Sequence, residues 1–235
     1  GRKNMKYNHY LDELIILDDK QKGQLYEYYK LLNEGARTMN LKTILEEEEV
    51  YIKHFYDSIM VLKDQTIQDM IEVLDIGTGA GLPGIVLKIV YPQIKVTLLE
   101  ATQKRCQFLH YVIEKLQLDN INVVCDRAEN FCNQKRAFYD IVVARAVANL
   151  NMLSELSIPF VKLNGIFIAM KGQNYQIELD NSKDAIAILG GIIDDKILYS
   201  LPKERGIRCL IKIKKIRITP SIYPRSYAKM KNKPL

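Results

Sequence analysis

The string Leu74-Asp75-Ile76-Gly77-Thr78-Gly79-Ala80-Gly81-Leu82-Pro83-Gly84 constrains this chain more than any other feature. It follows a short apolar run and opens an amphipathic stretch. In that setting glycines let a backbone turn sharply from strand to helix and come close to a ligand. Apolar runs recur at 71–76, 95–100, 121–125, 139–144 and 166–171, separated by helix-like stretches at 84–91, 103–117, 149–157 and 175–189. Parallel strands joined by crossover helices read this way. Beyond Gly190-Gly191 come strand, loop and strand, 192–199 and 207–218, with no room for a helix, so the sheet is expected to end in an antiparallel pair. Residues before these carry apolar side chains at helical spacing, including Leu25, Tyr28, Tyr29 and Leu32. The expected organisation is an N-terminal helical extension over 1–65 packed on an α/β domain over 66–235.

Two ligand classes fit the glycine loop. Gly79-x-Gly81-x-x-Gly84 matches the dinucleotide fingerprint, and Glu100 closes the second apolar run, where one carboxylate can accept from two vicinal ribose hydroxyls. Asp75 points the other way. A carboxylate there repels a pyrophosphate but favours the cationic sulfonium and amino groups of S-adenosylmethionine. The D-x-G-x-G-x-G spelling of Asp75, Gly77, Gly79 and Gly81 resembles the first motif of class I methyltransferases. The readings carried forward are a methyltransferase, an NAD(P)-dependent oxidoreductase, and a non-catalytic RNA-binding factor of ribosome assembly.

Some function classes drop out. Cys106, Cys125, Cys132 and Cys209 show no metal-ligand spacing with one another or with His9, His54 and His110, so no metal site is expected. No apolar run is long enough to span a bilayer and no signal-peptide pattern stands at the N-terminus, which leads to a cytoplasmic expectation. The absence of a heptad run leads to a monomer.

The net charge of +6 is unevenly placed. Between 203 and 235 eleven basic residues face one acid, Glu204, a local charge of +10 that leaves −4 for the rest. Lys212, Lys214 and Arg217 read as one face of a strand, and Tyr223 and Tyr227 stand among the terminal cations, an arrangement suited to phosphate contact and base stacking. Arg217, Arg225, Lys229, Lys231 and Lys233 are therefore candidate RNA contacts, together with Lys171 after the fifth strand. Removing residues 220–235 is expected to weaken RNA binding and leave cofactor affinity intact.

Several separated motifs resemble one family. They are Met39-Asn40-Leu41-Lys42-Thr43-Ile44, His54-Phe55-Tyr56-Asp57-Ser58-Ile59, Gly79-Ala80-Gly81-Leu82-Pro83-Gly84, Lys104-Arg105-Cys106-Gln107-Phe108-Leu109, Arg127-Ala128-Glu129, Tyr139 through Ala146, Ala169-Met170-Lys171-Gly172, and the Tyr223-Pro224-Arg225 and Lys233-Pro234-Leu235 endings. In this order they resemble the bacterial 16S rRNA guanine-N7 methyltransferases, the glucose-inhibited division protein B family. The resemblance implies a Rossmann-like, mostly parallel seven-stranded sheet of the class I S-adenosylmethionine-dependent methyltransferases, ending in an antiparallel strand. It implies methyl transfer to a guanine N7 in 16S rRNA, with naked rRNA or the 30S subunit as partner. By position it carries cofactor contacts onto Gly77, Leu82, Ala128, Glu129 and Arg145, and Glu100 takes the ribose role. N7 of neutral guanine holds an exposed lone pair, so no catalytic base is named. Arg145 is the candidate for a positioning role.

Overall fold

A computed structural model of the chain describes residues 5–38, 45–145 and 148–235. The Met39–Ile44 motif and Ala146 lie outside the described residues. Seven strands form one sheet: β1 (Glu72–Ile76), β2 (Lys95–Glu100), β3 (Ile121–Cys125), β4 (Tyr139–Arg145), β5 (Val161–Lys171), β6 (Gly191–Ser200) and β7 (Ile207–Lys215). Their order is β3-β2-β1-β4-β5-β7-β6. The first five are parallel, while β7 runs antiparallel to both β5 and β6. The expected antiparallel ending is present, with β7 inside the sheet and β6 at its edge.

Side chains alternate across each strand, so both faces of a central strand must be apolar when both are covered. Val73, Leu98, Ile141 and Val143 enter one core cluster, while Leu74, Leu99, Val142 and Ala144 enter another on the opposite face. The first cluster is covered by α5 (Gly84–Val90), α6 (Gln103–Leu116) and the long N-terminal helix α2 (Asp19–Thr38), which follows a single turn α1 (His9–Asp12). The second lies under α7 (Ala128–Lys135), α8 (Leu150–Ser157), α9 (Tyr175–Asp180) and α10 (Lys183–Ile188).

Helix α2 joins the sheet through more than apolar contact. Gln21 Nε2 donates to the Ile89 and Val90 carbonyls at 3.1 and 3.3 Å, and Gln24 Nε2 donates to the Leu116 carbonyl at 3.0 Å. These carbonyls end α5 and α6, where the helix itself offers no donor. Tyr28, fully buried, donates its hydroxyl to the Ala80 carbonyl at 2.7 Å and so grips the glycine loop. A continuous helical stretch follows, α3 (Glu47–Val50), a π-helical turn (Tyr51–Tyr56) and α4 (Asp57–Met60).

Three features differ from the sequence reading. The 175–189 helix is two helices, because the Ser182 hydroxyl donates back to the Glu178 carbonyl at 2.6 Å and the chain breaks at Asn181-Ser182. Helices α7 and α11 (Tyr227–Asn232) were not expected; both are short and gain their stability from packing rather than propensity. β7 stops at Lys215, and Ile216 to Ile218 leave the sheet exposed.

Candidate cofactor and cationic clefts

The five parallel strands all end at one edge of the sheet, where open α/β folds gather their ligands. The glycine loop lies there, with positive φ at Gly77 (63°), Gly79 (61°) and Gly81 (105°). The demands at these positions differ. A Cβ on Gly81 would lie 2.3 Å from Ile85 Cδ1 and 2.9 Å from the Tyr28 hydroxyl, so that glycine serves close packing. A Cβ on Gly79 would meet nothing within 4 Å. Gly79 thus borders open space, as a backbone that approaches a ligand must.

Asp75 is fully buried and forms no wall of that space, which changes the role given to it from sequence. Its Oδ2 accepts from the Thr78 hydroxyl at 2.6 Å and the Gly84 amide at 2.8 Å, tying both ends of the loop to β1, while its Oδ1 is buried with no partner. Burial pushes its carboxyl up to about 7, against the pull of those hydrogen bonds and of Arg145. An unfolded aspartate titrates near ~3.9, so the folded state holds the proton more tightly and stability falls as pH rises from about 4 to about 7. Asp75→Asn keeps an oxygen for both donors and removes the titration. Its stability should gain on the parent as pH rises through that window, by on the order of a few kcal/mol in all. Melting curves of the two proteins that shift in parallel between pH 4 and 7 would refute this.

Glu100 is also nearly buried. Its Oε1 accepts from the Gly79 amide at 3.1 Å and lies 3.7 Å from Arg105 Nη1, and its Oε2 accepts from the Thr102 amide at 2.8 Å. A carboxylate offers about four lone-pair sites, so this residue can fix the loop and still accept from hydroxyls. Beside it opens a cleft of about 160 Å³ with apolar lining from Ile76, Leu99, Ala101, Ala128 and Leu156. Asp126, Arg127 and Glu129 supply its polar groups, and Tyr227 of α11 completes the lining. Leu82 is 7% exposed and sits in the core cluster with α2 and α5, so its packing is against protein rather than along this cleft.

A second cleft of about 400 Å³ lies further along the same edge, over β4, β5 and β7. It is lined by Lys53, His54, Asp57, Arg145, Lys171 and Arg208, with Met170 and Gly172. Arg145 Nη1 lies 3.1 Å from His54 Nδ1. Burial pushes His54 down to about 4, helped by the neighbouring charges of Arg145, Lys53 and Arg208. The imidazole is therefore neutral near pH 7 and accepts from the guanidinium. Asp57 accepts a hydrogen bond from Tyr199, and burial raises its carboxyl. Two carboxylates near the ends of neighbouring elements have other partners, Glu129 pairing with Arg127 at 2.7 Å and Asp140 with Lys162.

The basic stretch does not form one patch. Lys171 is buried, donating to the Ala148 carbonyl at 2.7 Å and paired with Glu178 at 2.9 Å. Lys212 and Lys215 are buried in β7, and Lys215 donates to the Ile158 carbonyl at 3.2 Å. Arg217 donates to the Ala187 carbonyl at 2.7 Å. Lys203 and Arg205 pair with Glu48 and Glu49 of α3, both at 2.7 Å. Arg225 embraces Glu155 through its amide and guanidinium at 2.7 to 3.1 Å. Lys229, Lys231 and Lys233 remain exposed. The physical reason is common to most of these: a cation on a covered strand or tail must find an acceptor before it can be buried.

Residues 21–205 match the family described as rRNA small subunit methyltransferase G. A ribosomal RNA small subunit methyltransferase G of Oceanobacillus iheyensis is 46% identical over 213 residues, covering 90% of each chain. One of Staphylococcus saprophyticus is 46% identical over 222 residues, covering 94% of this chain and 93% of that protein. The chain belongs to this family. Among solved structures, M. jannaschii TYW2 in complex with AdoMet matches with a TM-score of 0.57 at 15% identity, over 74% of this chain and 80% of that one. A SAM-dependent methyltransferase from Aquifex aeolicus matches at 0.54 and 16% identity, over 76% and 97%. The fold is that of the class I methyltransferases, and membership of the rRNA small subunit methyltransferase G family makes the chain a methyltransferase rather than an oxidoreductase or a non-catalytic assembly factor.

Sequence reasoning does not single out Arg208 in the cationic cleft or Leu156 in the apolar one. It does not pair His54 with Arg145, and it reads Tyr227 as a ring among RNA-binding cations rather than as part of the apolar cleft. Each lies far along the chain from the motif it meets, so no local spacing signals it.

Proposed function

We propose that the protein transfers a methyl group from S-adenosylmethionine to N7 of a guanine in 16S ribosomal RNA, in the cytoplasm. One juxtaposition carries this reading. An apolar cleft rimmed by carboxylates and lined by Gly77 of the glycine loop, and a cleft rich in cations, lie along the same edge of strand ends. The names of the relatives supply the ribosomal RNA of the small subunit.

The residues suit the cofactor. Leu99, Ala128 and Leu156 offer an adenine an apolar slot, Asp126 offers its amino group an acceptor, and Glu100 offers two ribose hydroxyls one carboxylate. Gly77 and Gly79 give the amino-acid end of the molecule a backbone it can approach, and buried Asp75 holds that loop in shape through Thr78 and Gly84. Ala128 and Glu129 border the adenine, and Leu82 supports the loop from below.

When bound, the cofactor supplies an electrophilic methyl group. N7 attacks with a lone pair already free in neutral guanine, so the chain need hold no proton at the reacting atoms. Its work is to align donor and acceptor and exclude water, and alignment of that kind can lower a barrier by about 7 to 11 kcal/mol. Arg145, held by neutral His54, is placed to bind a phosphate or the guanine O6. Arg208 and Lys53 line the same cleft and take the role that sequence had given to Lys171. Lys229, Lys231 and Lys233 add exposed charge for the RNA backbone.

S-adenosylhomocysteine at a hundred times its Kd should stabilise the fold by about 2.7 kcal/mol, raising Tm by about 5 to 10 °C, whereas NADH should not. Stabilisation by NADH alone would overturn the reading. Mass mapping of 16S rRNA incubated with enzyme and cofactor then tests the site, and methylation at an atom other than guanine N7 would reject that part.

A further inference from the structure

The C-terminal stretch from Thr219 to Leu235 lies against the sheet domain and reaches the cofactor cleft. The Thr219 hydroxyl donates to the Leu189 carbonyl at 2.7 Å, and Arg136 donates to the carbonyls of Ser221 and Tyr223. Arg225 then closes on Glu155, which is 1% exposed on the side chain. Ser226 caps α11 by accepting from the Lys229 amide, and Met230 on that helix is fully buried. The result is to set Tyr227 in the lining of the apolar cleft, opposite no other aromatic ring in that lining. Arg127 lies over its ring, 4.8 Å from Cζ to centroid, and is itself held by Glu129 at 2.7 Å.

These contacts form a chain of support that ends at the cleft. Glu155 stands on α8, the helix that also contributes Leu156 to the cleft, so the residue that anchors the strap neighbours one that lines the slot. Arg127 and Glu129 flank Ala128, so Tyr227 is coupled to the loop after β3 that borders the adenine position. A purine entering an otherwise aliphatic slot finds in Tyr227 its one flat aromatic partner, and a base gains stability by stacking on such a ring.

We infer that Tyr227, carried on a strap locked by Glu155 and Arg136, is the aromatic wall on which the cofactor's adenine stacks, making the C-terminal stretch part of the cofactor site. This inference rests on the S-adenosylmethionine reading above and adds a binding residue to it. It reverses the sequence-based expectation that the segment 220–235 serves RNA alone.

The test is calorimetric titration of S-adenosylhomocysteine into the full-length protein, with 16S rRNA binding measured in parallel. Tyr227 is about half exposed, so its replacement leaves the core intact. Tyr227→Ala should weaken the cofactor product by about ten-fold while rRNA affinity changes little, and Tyr227→Phe, which keeps the ring, should recover most of the loss. In turnover the same variant should raise KM for the methyl donor more than it lowers kcat. Unchanged affinity for S-adenosylhomocysteine in Tyr227→Ala overturns the inference. So does a loss confined to rRNA binding, which would assign the ring to RNA bases. A parent protein that binds no S-adenosylhomocysteine overturns the cofactor reading itself, an outcome distinct from both.

Discussion

Arg145→Ala should lower kcat for methyl transfer into 16S rRNA by about a hundred-fold or more while Tm stays within a few degrees of the parent. The residue ends β4, whose register beside β1 pairs Ala144 with Ile76 and beside β5 pairs Arg145 with Met170. The guanidinium thus leaves the middle of the sheet at its carboxyl edge, between the glycine loop and the cationic cleft. Its charge is felt in both directions, lowering the carboxyl titrations of Asp75 and Asp57. Its observed partner is an imidazole rather than a carboxylate, so its loss strands no buried ion and the cost to folding is small. What disappears is a fixed donor fork at the place where substrate is aligned, and misplacement alone can cost about a hundred-fold. Incorporation of labelled methyl into rRNA measures it. Turnover within a few-fold of the parent, in a folded variant, would remove Arg145 from the mechanism.

Arg225→Ala should produce the largest loss of stability among the cations of the C-terminal stretch. It leaves Glu155 buried, charged and without its bidentate partner, a change that typically costs about 3 to 5 kcal/mol. For a chain of this length that corresponds to a Tm lower by about 6 to 20 °C if the molecule unfolds as one unit. A strap can also detach locally, which caps the loss at its own docking energy and exposes residues 219–235 to proteolysis. Scanning calorimetry and limited proteolysis together read both forms of the effect. A variant with parental Tm and a protease-resistant C-terminus would show that the ion pair contributes nothing measurable. Arg225 is thereby distinguished from Lys229, Lys231 and Lys233, whose replacement should leave Tm unchanged and act only on rRNA affinity.

Strand positions were legible because short apolar runs bounded by turns can be read without knowing their neighbours, and β2 and β3 fall where periodicity put them. The glycine loop was legible for the same reason: Asp75, Gly79 and Gly84 act within one turn, and their spacing alone encodes the turn. Helix α7 was not, since eight residues with weak amphipathicity carry little signal of their own. The pair His54 and Arg145 was not either, because 91 residues separate its members and only the arrangement of strands closes the distance.

Charge shows the division most clearly. By itself the sequence determined that the C-terminal stretch carries +10 and that the glycine loop turns the chain from strand to helix. It could not determine which cations would remain in water, since that depends on what packs over them. Tertiary structure decided it: β7 became an inner strand, burying Lys212 and Lys215, and the chain turned back over α8, locking Arg225 to Glu155 and setting Tyr227 at the cleft. A buried charge must find a partner, and partners are chosen by proximity in the fold rather than along the chain.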